Sequence, residues 1–225
     1  MILVDGKKIA HEVYARVGSA LSRENMHLTL GVISCGSDAV TEQFIRIKKK
    51  AADAIGVVVV DRKLSHTATT QEVVSAVEHL VLETNGVIVQ LPLPPHIDRA
   101  KIFAALPASH DVDCLGDVAR AHFATGESPL LPPVVAAIAE ILERYSIPVA
   151  EKNTVIVGKG MLVGAPAAVW FSQQGAHVTS VDEHDDISAY TNDADIIVLG
   201  AGQSHLLTPD MIQKGAVILD AGTSE

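Results

Sequence analysis

V-I-V-G-K-G-M-L-V-G, Val155 to Gly164, is an apolar run that ends in a glycine-rich loop, and it decides how the rest of the chain is read. Its glycines, at 158, 160 and 164, form a variant of G-x-G-x-x-G with the last interval one residue longer. The physical logic survives that insertion. Glycines let backbone approach a pyrophosphate, and the helix that follows offers free N–H groups and the positive end of its dipole. A glycine loop after a strand also serves purely structural turns, so its surroundings must decide. Three further short apolar runs follow: A-H-V-T-S-V-D-E, A-D-I-I-V-L-G-A-G and A-V-I-L-D-A-G. Strands at this spacing, the first followed by the glycine loop, make a Rossmann-like half. Asp182 then falls at the end of the second strand, where an acid accepts bonds from ribose hydroxyls. The pair Asp182/Glu183 disfavours a 2′-phosphate and points to NAD over NADP.

Upstream, the pattern alternates in the same way. Ile9, Val13, Val17 and Leu21 recur every fourth residue and predict a helix from about Lys7 to Glu24. Leu28 to Ser34 is a buried strand, with Ser37 or Asp38 as N-cap of a helix over Ala39 to Ile55. Val40, Phe44, Ile47, Ala51 and Ala54 are expected to form the apolar face of that helix, and Gly56 ends it. Val57 to Val60 is a second strand, with a turn near Asp61 to Ser65. T-T-Q-E at 69 to 72 resembles a capping box, and Asn85 to Pro95 holds a third strand running into prolines. Strand–helix–strand repetition implies a parallel sheet with ligands at the strands' carboxyl ends. Val134 to Tyr145 carries an unbroken apolar stripe suited to a helix bridging two domains. The expected class is therefore α/β with two domains: 1–130, a linking helix over 131–150, and a dinucleotide-binding unit over 151–225.

Composition agrees. Hydrophobic residues make up 48% and aromatics only 4% of the 225 residues, as buried parallel strands require. A formal charge of −10 argues against nucleic acid as the main partner. No stretch approaches a membrane span. Cys35 and Cys114 have neither disulfide nor zinc spacing, so a reducing cytoplasm is the expected setting.

Chemistry in the first half centres on Lys48, Gln90 and Asp113. Lys48 lies four residues after Phe44, on a neighbouring part of one helix face, whereas Lys49, Lys50 and Arg46 are read as solvated cations. Gln90 ends an apolar strand, where its amide either holds a lysine head or a substrate atom, or satisfies the strand end. Asp111 and Asp113 in H-D-V-D are turn acids or ligand contacts; D-x-D without further suitably spaced ligands does not make a metal site.

These elements together resemble the bifunctional methylenetetrahydrofolate dehydrogenase/cyclohydrolase (FolD) family. The resemblance rests on F-I-R-I-K-K-K-A, V-I-V-Q-L-P-L-P-P-H-I-D, D-V-D-C-L-G, V-G-K-G-M-L-V-G-A-P, A-G-Q-S-H-L-L-T and G-A-V-I-L-D-A-G, in order over essentially the whole chain. It implies a folate-binding domain facing a Rossmann domain across a cleft, a homodimer, and oxidation of 5,10-methylenetetrahydrofolate with NAD or NADP, followed by hydrolysis to the 10-formyl product. Lys48 becomes the general acid/base, Gln90 its orienting partner and Asp113 the pterin grip. Phe44, Leu91 and Pro92 become substrate contacts, and Gly158, Lys159, Gly160, Val163, Gly164, Asp182, Gly200, Ala201 and Gly202 cofactor contacts.

Departures qualify that picture. Phe44 replaces the family's tyrosine and lacks its hydroxyl, which weakens the expected hydrolytic step. P-L-L-P-P-V, Pro129 to Val134, replaces P-C-T-P-x-G. Lys159-Gly160 and Asp182-Glu183 replace an Arg-Ser and a His-Ser, and both changes remove contacts to a 2′-phosphate. The family continues through P-G-G-V-G-P where this sequence stops at Glu225, so a truncated chain or a fragment of a longer protein is expected; were the chain complete, the folate pocket would lack one wall. A non-catalytic binding homologue and a related dehydrogenase for another substrate, such as a shikimate-type enzyme, are the competing readings.

Overall fold

The computed structural model describes residues 2–36, 39–182, 184–203 and 205–222. Two compact units divide the chain, Met1–Arg120 and Ala121–Glu225.

In the first unit, α1 (Gly6–Arg23) precedes β1 (Thr29–Cys35), α2 (Ala39–Ile55), β2 (Val58–Leu64), α3 (Thr70–Glu83), β3 (Gly86–Val89) and α4 (Arg99–Ala105). Its sheet has the order β2-β1-β3 with both pairings parallel. β1, in the middle, buries Val32 and Ile33 completely. Thr69 caps α3 through its hydroxyl while Glu72 returns a bond to the Thr69 backbone, completing the expected capping box. The N-cap expected at Ser37 or Asp38 lies outside the described residues.

Two local expectations are overturned. Asp61 to Leu64 is strand rather than turn, because β2 keeps pairing with β1 to Cys35↔Leu64. The apolar face assigned to α2 is also the wrong one. Val40, Phe44 and Ile47 are 50%, 40% and 53% exposed, while Thr41, Ile45 and Ala52 are buried. Ile45 packs with Val32 and Ile88 of the sheet, so the stripe 41–45–48–52 turns inward. That choice carries Lys48, at the third position of the stripe, into the half-buried zone.

The second unit contains α6 (Pro133–Arg144), β4 (Asn153–Val157), α7 (Gly164–Gln173), β5 (His177–Val181), α8 (Ile187–Thr191), β6 (Ile196–Leu199) and β7 (Val217–Asp220); α5 (Asp117–Thr125) spans the boundary between units. All four strands are parallel in the order β5-β4-β6-β7. Val135, Ile138 and Leu142 of α6 join Ile156, Phe171, Ile196 and Val198 in one core, so this helix's apolar stripe is spent within the second unit. The chain doubles back from β5 past β4 to β6, which places a topological switch point at the carboxyl ends of β4 and β6. Among the described residues, no helix is long and apolar enough to cross a membrane.

Candidate active site

Lys48 and Gln90 meet at the first unit's own switch point, beyond the carboxyl ends of β1 and β3. Backbone pairing continues one step past β3, where the Gln90 N–H donates to the Ile33 carbonyl at 2.8 Å. This fixes the Gln90 side chain, which is buried. Its Nε2 donates to the Leu91 carbonyl at 2.7 Å, leaving Oε1 to accept from Lys48 Nζ at 2.7 Å. Burial lowers the Lys48 pKa below the usual lysine range, and the nearby Asp113 carboxylate opposes that shift. Asp113 moves the other way. Burial and the neighbouring Asp111 raise its pKa, while Lys48 pulls it down.

The Asp113 loop is anchored by its neighbour. Asp111 is almost fully buried, forms a parallel bridge with Val87 beside β3, and accepts the Gly116 N–H at 2.7 Å. Cys114 follows in the left-handed region, and burial pushes its thiol up to about 11, away from reactivity. Leu91 is half-buried and joined to exposed Pro92 by a cis peptide bond. Phe44 presents its ring on the exposed row of α2, one turn before Lys48.

The neighbouring cations separate. Lys49, read as solvated, instead pairs with Asp61 of β2 at 2.7 Å, whereas Lys50 and Arg46 are exposed. Sequence reasoning placed Asp61 in a turn and so missed its partner.

In the second unit, the glycines fit a dinucleotide. Gly158 has φ +101°, and a Cβ there would stand 2.9 Å from the Ala201 backbone nitrogen. At Gly164 a Cβ would lie only 1.7 Å from the Gly158 carbonyl oxygen, so the helix start needs glycine to close on the loop. Nothing lies within 4 Å of the corresponding point at Gly160, the open position where a phosphate can approach. Gly200 is pressed against Val163, where an added Cβ would be 2.7 Å from Cγ1. Ala201 and Gly202 continue the loop beyond β6.

Asp182 follows β5 directly. Lys159 Nζ donates to it at 2.7 Å and stands 3.9 Å from Asp185. That hydrogen bond holds Asp182 below the usual carboxylate range, helped by the His184 N–H, and raises Lys159. Glu183, the other acid expected to act here, lies outside the described residues.

Parallel sheets that carry a lysine–glutamine pair and a glycine cradle at their switch points define a dinucleotide-binding α/β enzyme. The tetrahydrofolate dehydrogenase/cyclohydrolase catalytic-domain profile matches residues 4–113, and the NAD(P)-binding-domain profile of the same family matches 132–225. Bifunctional protein FolD 2 of Lactobacillus johnsonii is 31% identical over 226 residues, covering 98% of this chain and 80% of that one. The crystal structure of the bifunctional FolD enzyme of Campylobacter jejuni superposes with a TM-score of 0.94 at 29% identity, covering 99% of this chain and 81% of the other. The Trypanosoma brucei FolD, crystallised with NADP and an inhibitor, gives 0.91 at 28% identity, covering 99% and 79%. The chain belongs to the tetrahydrofolate dehydrogenase/cyclohydrolase family.

Proposed function

We propose that this chain oxidises 5,10-methylenetetrahydrofolate to the 5,10-methenyl compound and opens that product with water to 10-formyltetrahydrofolate. The observation that carries the reading is the half-buried Lys48, its head held 2.7 Å from Gln90 Oε1 at the ligand edge of the sheet. A lysine with a lowered pKa has a neutral fraction able to take a proton from the attacking water, then return it as an acid. Gln90 fixes where that amine stands, and Asp113 offers the pterin a carboxyl group. Phe44 supplies a ring face for the substrate without a hydroxyl.

Gly158, Lys159, Gly160, Val163, Gly164, Asp182 and Gly200 to Gly202 would hold a nicotinamide dinucleotide. Bound there, the cofactor supplies the hydride acceptor for the methylene carbon. NAD is the preferred form in this reading. Asp182 is kept ionised where a 2′-phosphate would sit, and Lys159 is already engaged by two carboxylates. The homodimer expected from the resemblance is checked by light scattering.

Reduced-cofactor absorbance with methylenetetrahydrofolate, NAD or NADP, and a Lys48→Met variant tests the scheme. Hydrolysis of the methenyl compound is expected to fall by about 10²–10⁴-fold in that variant. Undiminished hydrolysis would remove Lys48 from the mechanism. Exchanging Asp182 for serine is expected to raise the NADP to NAD ratio of kcat/KM on the order of tenfold; an unchanged ratio overturns the NAD preference alone.

A further inference from the structure

Lys159, Asp182 and Asp185 meet where the glycine loop lies beside the end of β5. The two acids are tied to each other twice. The Asp185 N–H donates to the Asp182 carbonyl at 3.1 Å, and Asp185 Oδ2 accepts the Asp182 N–H at 2.8 Å. Asp185 therefore holds the backbone from which the Asp182 carboxylate projects. The same Oδ2 stands 3.9 Å from Lys159 Nζ, whose hydrogen bond goes to Asp182 at 2.7 Å.

Folding stability does not account for this group. The lysine, Asp182 and Asp185 side chains are 53%, 37% and 38% exposed, and ion pairs so open to solvent add little. Cofactor chemistry accounts for it better. Each Asp182 oxygen already accepts one donor, Oδ1 the His184 N–H at 3.1 Å and Oδ2 the Lys159 ammonium, and a carboxylate keeps a further lone pair on each for the ribose hydroxyls. A 2′-phosphate would bring its charge to the same place, where an unpaired lysine would bind it. Exchanging Asp182 alone does not free that lysine, because a shift of about 1 Å brings Nζ within hydrogen-bond distance of Asp185.

We propose that Asp185 is a second cofactor-specificity residue, which holds the Asp182 backbone for the ribose and keeps Lys159 neutralised and withheld from a 2′-phosphate. This role rests on the assignment of the loop as an NAD-preferring dinucleotide site.

The whole chain carrying Asp182→Ser, Asp185→Asn, both changes, or both with Lys159→Met tests it. NADP and NAD binding is read by titration calorimetry, beside kcat/KM with methylenetetrahydrofolate. Asparagine keeps an oxygen for the Asp182 N–H and drops the charge; Asp185→Ala removes both. The alanine variant is expected to bind NAD about fivefold more weakly than the asparagine variant. Asp185→Asn alone is expected to raise the NADP to NAD affinity ratio roughly threefold, since Asp182 still holds the lysine. The double variant is expected to raise it on the order of a hundredfold, more than the two single changes multiply to, because only then is Lys159 released. Adding Lys159→Met takes that gain away. A double variant no better for NADP than Asp182→Ser, or a gain that survives Lys159→Met, overturns the masking and leaves the NAD preference standing. Equal NAD affinity in the alanine and asparagine variants overturns the backbone support. Wild type that binds NADP more tightly than NAD removes the preference itself and the role of Asp185 with it, and that result is read before any variant is made.

Discussion

Lys48 and Asp113 move in opposite directions on burial, and their coupling makes the site's pH behaviour testable. Removing the Asp113 charge takes away the main influence that favours the lysine cation. Asp113→Asn is therefore expected to shift the lysine-dependent limb of the rate profile to lower pH, checked by hydrolysis rates over a pH series. The same change affects stability, and the signs can be worked out. Asp113 has a folded pKa above its ordinary 3.8, so the native chain holds its proton more tightly. Stability from this group is full below that value and is lost as pH rises through the raised one. Asparagine, which cannot ionise, removes the loss, and Asp113→Asn is expected to melt higher at neutral pH, by ~2–4 °C for each kcal/mol released. Lys48 contributes in the reverse sense. Its folded pKa lies below 10.5, the unfolded chain holds more protons between the two, and stability rises with pH across that window.

Elements show where local sequence rules suffice and where they fail. The box at Thr69 and Glu72 is written in four adjacent residues and forms as expected. Thr69→Ala should cost about 1 kcal/mol (range ~0.5–2), measured by denaturant unfolding. The glycine loop is similarly local, and Gly164→Ala meets a carbonyl with no room to yield. Loss of dinucleotide binding is expected in titration calorimetry, and Trp170, the chain's one tryptophan, packed edge-on to Phe171 at 4.9 Å in α7, reports by fluorescence whether that helix remains seated. Helix α2 behaves differently. Its sequence offers two stripes, 40–44–47–51 and 41–45–48–52, and the more apolar one is the exposed one. Periodicity identifies a helix, but the neighbouring sheet selects the face.

At the scale of the whole molecule, two sheets repeat one device: side chains or loops from elements distant in sequence converge beyond the carboxyl ends of parallel strands. The chain order of strands and helices, the glycine loop, and the residue types Lys48, Gln90, Asp113 and Asp182 were legible because each is carried by a short pattern with its own physics. Tertiary structure decided what those patterns leave open. The extension of β2 to Leu64 follows from pairing with β1, and only that extension brings Asp61 to Lys49. Lys159 and Asp182 are 23 residues apart, and their ion pair exists because the glycine loop and the end of β5 are adjacent across the sheet. The sequence by itself determined the elements, their order and the chemical groups available, since propensity, periodicity and turn chemistry act over a few neighbouring residues. Only the tertiary structure decided which helix face is buried and which charges pair, because burial and partnership depend on residues tens of positions away.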